Sequence, residues 1–515
     1  MLLGWLILGF MLLAAWPWAR WIAARSASDE DQLLLSLLLC IGLGSGVLSL
    51  LILWVGLFGI RLETALITGL YAAVMVPGWI RWWRERKHFP GKLEHKPIHR
   101  WQWFALVSIS LICAGIVFNA AYWPFSKADT LGIYHRYGTL IFETGALVPF
   151  AGRDDAFYQA YPMHLPLIYA FSYMVSGQIN EYLARVIPAL LAIGCVPTVY
   201  LIGKTVGGKQ AGWISAFLLA TTPTFVRWAS SGYVDLPMAF YYTLAALFTL
   251  RLIQHQRTID ALLVGVMLGL AAWTKNAALV GIGLMALWAL FALWQRWIRL
   301  QQILIAGLAC AIIAGPWYIR NWIEARLIVP PTAWIDQAQH NLQTLLAFIT
   351  HPTDFGLTGW VVFGAVIIVS IRLITHSSPG RAVSEIWGDN FHAGGHTAQT
   401  THPPQQPFGA ESRSTVLLLW LTIPFFGIWW WLVSYDLRFL LLFLPLLTVI
   451  AGGVSWQLWA TLLRPFQSRL RYALLLIAIV LAGVSLWLSV EFKDDILRQP
   501  LMNDSDKRAI VLGES

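Results

Sequence analysis

Charge is what this chain has least of. Only 12% of its 515 residues are charged, and no polar stretch is long enough to bury a core of its own, which excludes a large soluble domain. Cysteine is scarce too. Cys40, Cys113, Cys195 and Cys310 stand far apart, each inside an apolar run, so neither a disulfide framework nor a zinc motif is suggested and packing is their expected role. The apolar/polar alternation of barrel strands is missing. So are a P-loop, a GxSxG elbow and a HExxH zinc helix. The opening "MLLGWLILGFMLLAAWPWAR" lacks a basic n-region, so an uncleaved first helix is expected there instead of a signal peptide.

What the chain has in abundance is apolar surface: 58% of residues are hydrophobic, 29 of them tryptophan. Apolar runs of about 20 residues recur, the length that crosses a bilayer core as helix. Only helices and closed barrels satisfy their backbone in lipid, so the expected class is an all-α polytopic membrane protein. About 12–14 spans are expected, at roughly 3–19, 33–56, 62–80, 101–122, 181–203, 210–227, 234–253, 259–274, 276–294, 302–320, 356–374, 415–433, 438–456 and 472–490. The net charge of +9 is not a nucleic-acid signal, because the basic residues sit in short connecting loops, as the positive-inside rule expects.

The most basic loop, "RWWRERKHFPGKLEHKPIHR" at 81–100, marks the cytoplasmic side. Counting onward, "GKTVGGK", "RLIQHQR", "WQRWIR" and "RPFQSRLR" fall on that side only if "HLPLIYAFSYMVSG", 164–177, does not cross. That segment has about the length of a re-entrant or interfacial piece. Residues 123–180 are therefore expected to form one long external loop of interfacial helices, with a second external excursion at 321–355. Four regions result: 1–100 with additional N-terminal spans and the basic loop, a core at 101–374, a cytoplasmic loop at 375–414, and C-terminal spans with an external tail at 415–515. The loop at 375–414 is rich in Ser, Gly, Pro, His and Gln, and is expected to be disordered because it lacks the apolar area that offsets ordering entropy. Its histidines are too irregularly spaced to suggest a metal site.

Ionisable groups cost several kcal/mol at mid-membrane, so they line cavities or sit at interfaces. Here they gather at the expected outer ends of helices: Asp129, His135, Arg136, Asp154, Asp155, His164, Arg185, Asp235, Lys275, Arg320, Asp436 and Arg438. A transporter more naturally places such groups at the midplane, so this distribution points to a reaction at the membrane face. Asp129 is the candidate base, since a carboxylate can accept a proton from an incoming hydroxyl. It also stands where an N-cap of the helix "TLGIYHRYGTLIFETG" belongs, and the two roles are compatible. Lys275, Arg320 and Arg438 are candidate phosphate ligands, able to offset charge on a leaving phosphate. Taken singly, each is equally readable as a snorkelling interfacial cation.

The order of these pieces resembles the GT-C-fold membrane glycosyltransferases, in the bacterial branch related to protein O-mannosyltransferases and lipid A aminoarabinose transferases. The matching text is "ADTLGIYHRYGTLIFETGALVP", "YPMHLPLIYAFSYMVSGQINEYLARVIPALL", "GLAAWTKNAAL", "GPWYIRNW" and "YDLRFLLLFLPLL", within about residues 101–456. The resemblance implies a GT-C-like helical bundle and an inverting transfer from a polyprenyl-phosphate-linked sugar donor to a glycan, lipid or protein acceptor in the bilayer. It implies no cofactor and no nucleic acid, and places the protein in the bacterial plasma membrane with its site facing outside. It puts the catalytic role on Asp129 and donor phosphate binding on Lys275 and Arg438, with Arg320 a weaker match. Tyr134, His135, Tyr161, His164, Asp155 and Asp235 are implied as pocket residues. Two departures stand out. Thr130 follows Asp129 where related chains often carry a second acid, so metal independence is expected. The Tyr134–His135 pair also sits one residue further from the acid than the pattern. A glycan ligase or polymerase of the same fold is the alternative; a lipid-linked sugar flippase or transporter and an inactive membrane scaffold are rivals of other classes.

Overall fold

The computed structural model describes residues 2–85, 99–147, 160–329, 335–375, 410–461 and 466–513, and among them every regular element is helical. Among the described residues ten helices are long and apolar enough to cross a membrane, and Thr258–Thr274, Ala278–Trp294 and Leu444–Ala460 are shorter apolar helices. Glu181–Ala220, nominally 40 residues, is two helices joined at Gly208, whose φ of 82° only glycine adopts at little cost. The two arms pack backbone to backbone: a Cβ on Gly212 would lie 2.6 Å from the Tyr200 carbonyl oxygen. Leu444–Ala460 packs as closely, with a Cβ on Gly452 meeting Ser215. Small residues at such contacts allow the close approach that holds helices together in lipid.

Asp235–His255 is the central helix, and Asp235 through Ile253 are all buried. It is apolar on every side, so it has no face to offer to solvent. It runs away from one end of the bundle, and Thr258–Thr274 runs straight back, so Asp235 and Lys275 meet at the same end. The far end carries a different set of charges. There Lys204 bonds Asp31 at 2.7 Å and Glu30 at 3.1 Å, the Ser26 hydroxyl bonds Asp260, and Arg257 donates to the Arg25 carbonyl at 2.7 Å.

Two local boundaries change. The first span does not stop at 19: helix Leu2–Ala14 is followed by Trp16–Ser26, restarted with Pro17 in its first turn, where a proline needs no N–H. Residues His164 to Tyr173 of helix His164–Ser176 are all buried, between Asp29–Leu57, Arg136–Thr144 and the start of Glu181–Ala220, because the segment is apolar all round. Of the stretch placed as a loop at 375–414, residues from Ala410 on are helical, and 376–409 lie outside the described residues.

Candidate active site

Four helix ends bring five charges together. Asp129 ends the link that follows helix Arg100–Tyr122, Asp235 opens the central helix, Lys275 closes Thr258–Thr274, and Asp436 and Arg438 bracket the start of the 3₁₀ turn Leu437–Leu442. Arg438 is the hub. Its Nη1 donates to Asp129 Oδ2 at 3.0 Å, its Nη2 lies 3.1 Å from Asp436 Oδ2, and its Nε is 3.9 Å from Asp235 Oδ2. Lys275 Nζ donates to the other oxygen of Asp235. The carboxylate of Asp436 also accepts the Arg438 backbone N–H at 2.8 Å, which fixes the turn that aims the guanidinium.

Aromatic rings wall this chain of charges. The Arg438 guanidinium stands 4.4 Å from the Tyr233 ring centroid and 5.3 Å from that of Trp228, while Phe439 faces both Lys275 at 4.4 Å and Arg438 at 5.2 Å. Such ring faces attract a cation whose hydration has been removed. The Tyr233 hydroxyl accepts the Asp129 backbone N–H at 3.2 Å, tying the acid's backbone to the segment that leads into Asp235. Burial depth differs along the cluster. The Asp235 side chain is 3% exposed and those of Lys275 and Arg438 are 10% and 11%, whereas Asp129 keeps 40% and so remains open to an incoming group. Burial lowers the Lys275 pKa, with Asp235 opposing. Burial also acts to lower that of Arg438, but Asp235, Asp436 and Asp129 outweigh it and hold the guanidinium charged.

The residues expected from the sequence divide into two groups. Asp129, Asp235, Lys275 and Arg438 form the cluster. Asp129 does not cap its helix: its backbone is already helical and its carboxylate makes no capping bond, one oxygen accepting from Arg438 instead. Tyr134 faces this side, buried, with its ring edge-on to Tyr233. Burial pushes its hydroxyl well above the ordinary range, and Asp235, Tyr161 and Asp129 add to that shift. Tyr161, half-buried, follows Ala160 at the start of the described segment 160–329. His164 is one layer behind, its Nδ1 2.8 Å from the hydroxyl of Thr274, the residue before Lys275.

His135 and Arg320 make further contacts of their own. The His135 ring bonds the Tyr173 hydroxyl at 2.8 Å and approaches Glu181 at 3.9 Å. Glu181 in turn accepts from the Phe125 backbone N–H and from Arg508, each at 2.8 Å. Arg320 pairs with Glu324 one turn on, at 3.1 Å, over the Trp317 ring. Asp155 lies outside the described residues. The extra residue between Asp129 and the Tyr–His pair has a structural counterpart: Thr130–His135 is a π-helical turn, which closes each hydrogen bond over one residue more than an α turn. Tyr233, Trp228 and Phe439 complete the site without having been singled out for it, together with Asp436 from the outer set of charges. The only sequence signal for the three aromatics was their nearness to Asp235 in "WASSGYVDLP" and to Arg438 in "SYDLRF".

Residues 160–319, under half of the chain, match the family described as dolichyl-phosphate-mannose-protein mannosyltransferase. No curated protein sequence matches the chain. Among solved structures, ArnT from Cupriavidus metallidurans bound to undecaprenyl phosphate superposes with a TM-score of 0.50 at 14% identity, over 80% of this chain and 74% of that one. The chain has a GT-C fold. The archaeal oligosaccharyltransferase AglB from Archaeoglobus fulgidus, in complex with an inhibitory peptide and a dolichol-phosphate, gives a TM-score of 0.47 at 13% identity, over 80% of this chain and 59% of that one. Within the GT-C bundle the family match takes in Asp235 and Lys275 but neither Asp129 nor Arg438. The two halves of the cluster are therefore drawn from inside and outside the matched segment.

Proposed function

We propose that this protein is an inverting, metal-independent membrane glycosyltransferase that moves a sugar from a polyprenyl-phosphate donor to an acceptor hydroxyl. The observation that carries the reading is the single linked chain Asp129–Arg438–Asp235–Lys275, in which an accessible carboxylate stands against two enclosed cations. The bound undecaprenyl phosphate of the ArnT structure, which shares the fold, supports a lipid phosphate as the ligand class.

In this reading Asp129 takes the proton of the acceptor hydroxyl as its oxygen attacks the anomeric carbon. The bond from that carbon to the phosphate oxygen breaks, and the electron pair leaves with the lipid phosphate. Lys275 and Arg438 hold the phosphate oxygens on which charge develops. One in-line displacement inverts the anomeric centre. Tyr134, Tyr161 and Tyr233 supply the enclosing wall beside the reacting sugar. The reading asks for no metal at Asp129: the next residue is Thr130 instead of a second acid, and its buried hydroxyl is committed to the Ser231 carbonyl at 3.2 Å. The site end of the bundle faces outside the bacterial plasma membrane, because the basic helix ends Lys204, Arg251 and Arg257 gather at the opposite end.

The test is to incubate the purified protein with a panel of polyprenyl-phosphate sugars and follow transfer or donor hydrolysis. Turnover of at least one donor is expected, and its loss in Asp129→Asn with lipid binding retained. Full activity of that variant, or inertness toward every donor, would sink the reading.

A further inference from the structure

Arg438 and Lys275 are over-neutralised before any donor arrives. Two cations face three carboxylates, Asp129, Asp235 and Asp436, so the cluster carries a formal charge of −1 on its own. Asp129 and Asp436 are 40% and 31% exposed and are screened by water; Asp235, at 3%, is not. The field that a donor phosphate must overcome therefore comes mainly from Asp235.

Its geometry is incomplete in a telling way. One oxygen accepts from Lys275, but the other stops 3.9 Å short of Arg438 Nε, beyond hydrogen-bond reach. Asp235 Oδ2 and Arg438 Nε are both buried, and neither has a hydrogen-bond partner among the described residues. The two remaining arms of the guanidinium are taken. Asp235 thus bridges the two cations but closes a hydrogen bond on only one of them.

We propose that Asp235 is a resident counter-ion that competes with the phosphate group of the lipid for Lys275 and Arg438. This rests on the transferase reading above. The donor's phosphate diester displaces the Asp235 carboxylate and supplies the oxygen that Arg438 Nε lacks. After transfer the lipid phosphate is a monoester bearing a second negative charge, so the two cations hold it more tightly than they held the donor. The return of Asp235 to Lys275 and Arg438 is what lets it go. Asp235 is thus a positioning residue for the cations, and its charge sets how fast product leaves.

The experiment compares wild type, Asp235→Asn and Asp235→Glu, as full-length protein, for affinity toward undecaprenyl phosphate and for single- and multiple-turnover transfer. Asp235→Asn keeps a group that can bond Lys275 but removes the charge. Its affinity for undecaprenyl phosphate should rise by about tenfold, with single-turnover transfer kept and steady-state kcat reduced, giving a burst. Asp235→Glu keeps a buried charge with reach enough to close on Arg438 Nε, and its affinity should fall below wild type. Unchanged or weaker lipid-phosphate binding in folded Asp235→Asn overturns the inference. If that variant does not fold, Asp235→Glu decides alone, and affinity equal to or above wild type overturns it. A wild type that binds undecaprenyl phosphate and transfers sugar while the variants behave this contrary way removes only the counter-ion role. A wild type that does neither removes the transferase reading itself.

Discussion

Two ion networks grip the same stretch of chain, residues 123–136, and they differ in how fully their groups are satisfied. In the first, the buried guanidinium of Arg185 donates to the carbonyls of Trp123 (3.0 Å), Pro124 (2.6 Å) and Ser230, and pairs with Glu491 at 3.3 Å. Beside it, Glu181 takes the Phe125 N–H and Arg508, so the C-terminal tail is stitched onto the start of this stretch. None of the side-chain atoms of Arg185 or Glu181 is among the buried atoms left without a partner. The second network, a few residues on, joins Asp129 to Arg438, Asp235 and Lys275, and there two buried atoms have no partner among the described residues. The difference separates scaffold from site. Leaving a buried polar group unsatisfied costs about 1–3 kcal/mol, a cost that a bound ligand can remove. The saturated network has nothing further to bind, and its work is to hold Asp129 against Arg438.

The comparison is most easily broken at Asp129. Asp129→Asn should lower kcat by about 10²–10⁴-fold, the range of a general base, with undecaprenyl phosphate affinity within a few-fold of wild type. A loss of binding that matches the loss of rate would instead make Asp129 part of the scaffold. At Arg185 the loss should appear in stability. Removing one partner of a buried, hydrogen-bonded charge costs about 3–5 kcal/mol, so Arg185→Met should unfold at markedly lower temperature in detergent while the folded fraction keeps its turnover. A folded, stable Arg185→Met with low kcat would show that the two networks are one device.

Arg438→Lys should reduce kcat/KM by about 10²-fold, the usual loss for one preorganised donor to developing charge. A lysine ammonium has no planar fork to serve Asp129, Asp436 and a phosphate together, and the fold should be unaffected. The smallest effect concerns His135. Burial lowers its pKa, with Glu181 opposing and Arg508 adding to the depression. The unfolded chain therefore binds the proton more readily than the folded one. Stability is fully present above about pH 6.5, the unperturbed histidine value, and is lost as pH falls toward the lowered folded value. Thermal unfolding of His135→Gln should lack that part of the slope, while its transfer rate at pH 7.5 should stay within a few-fold of wild type.

Membership of the cluster was legible where a charge ended an apolar run, as at Lys275 in "AAWTKNAAL" and Arg438 in "SYDLRF", because the cost of burying charge in lipid makes such a residue conspicuous. Three other features were not legible. The Asp129 side chain reads as a helix cap by local rules, and only Arg438, 309 positions away, overrides them. Tyr233, Trp228 and Phe439 carry no signal in a chain with 29 tryptophans, 26 phenylalanines and 16 tyrosines, because one more aromatic is unremarked until a cation is placed over it. Arg320 reads like Arg438, an arginine beside an apolar run, and its pairing with Glu324 on its own helix was not read from the sequence.

Sequence alone determined the solvent and the element type. The free energy of moving a segment into lipid is a sum over neighbouring residues, and hydrogen bonding within the segment then demands helix. The tertiary structure decided which charges meet, which rings enclose them, which way Tyr134 and His135 face and which buried atoms go unpaired. Those energies belong to pairs far apart in the chain. They depend on distance and burial, which exist only once the helices have packed.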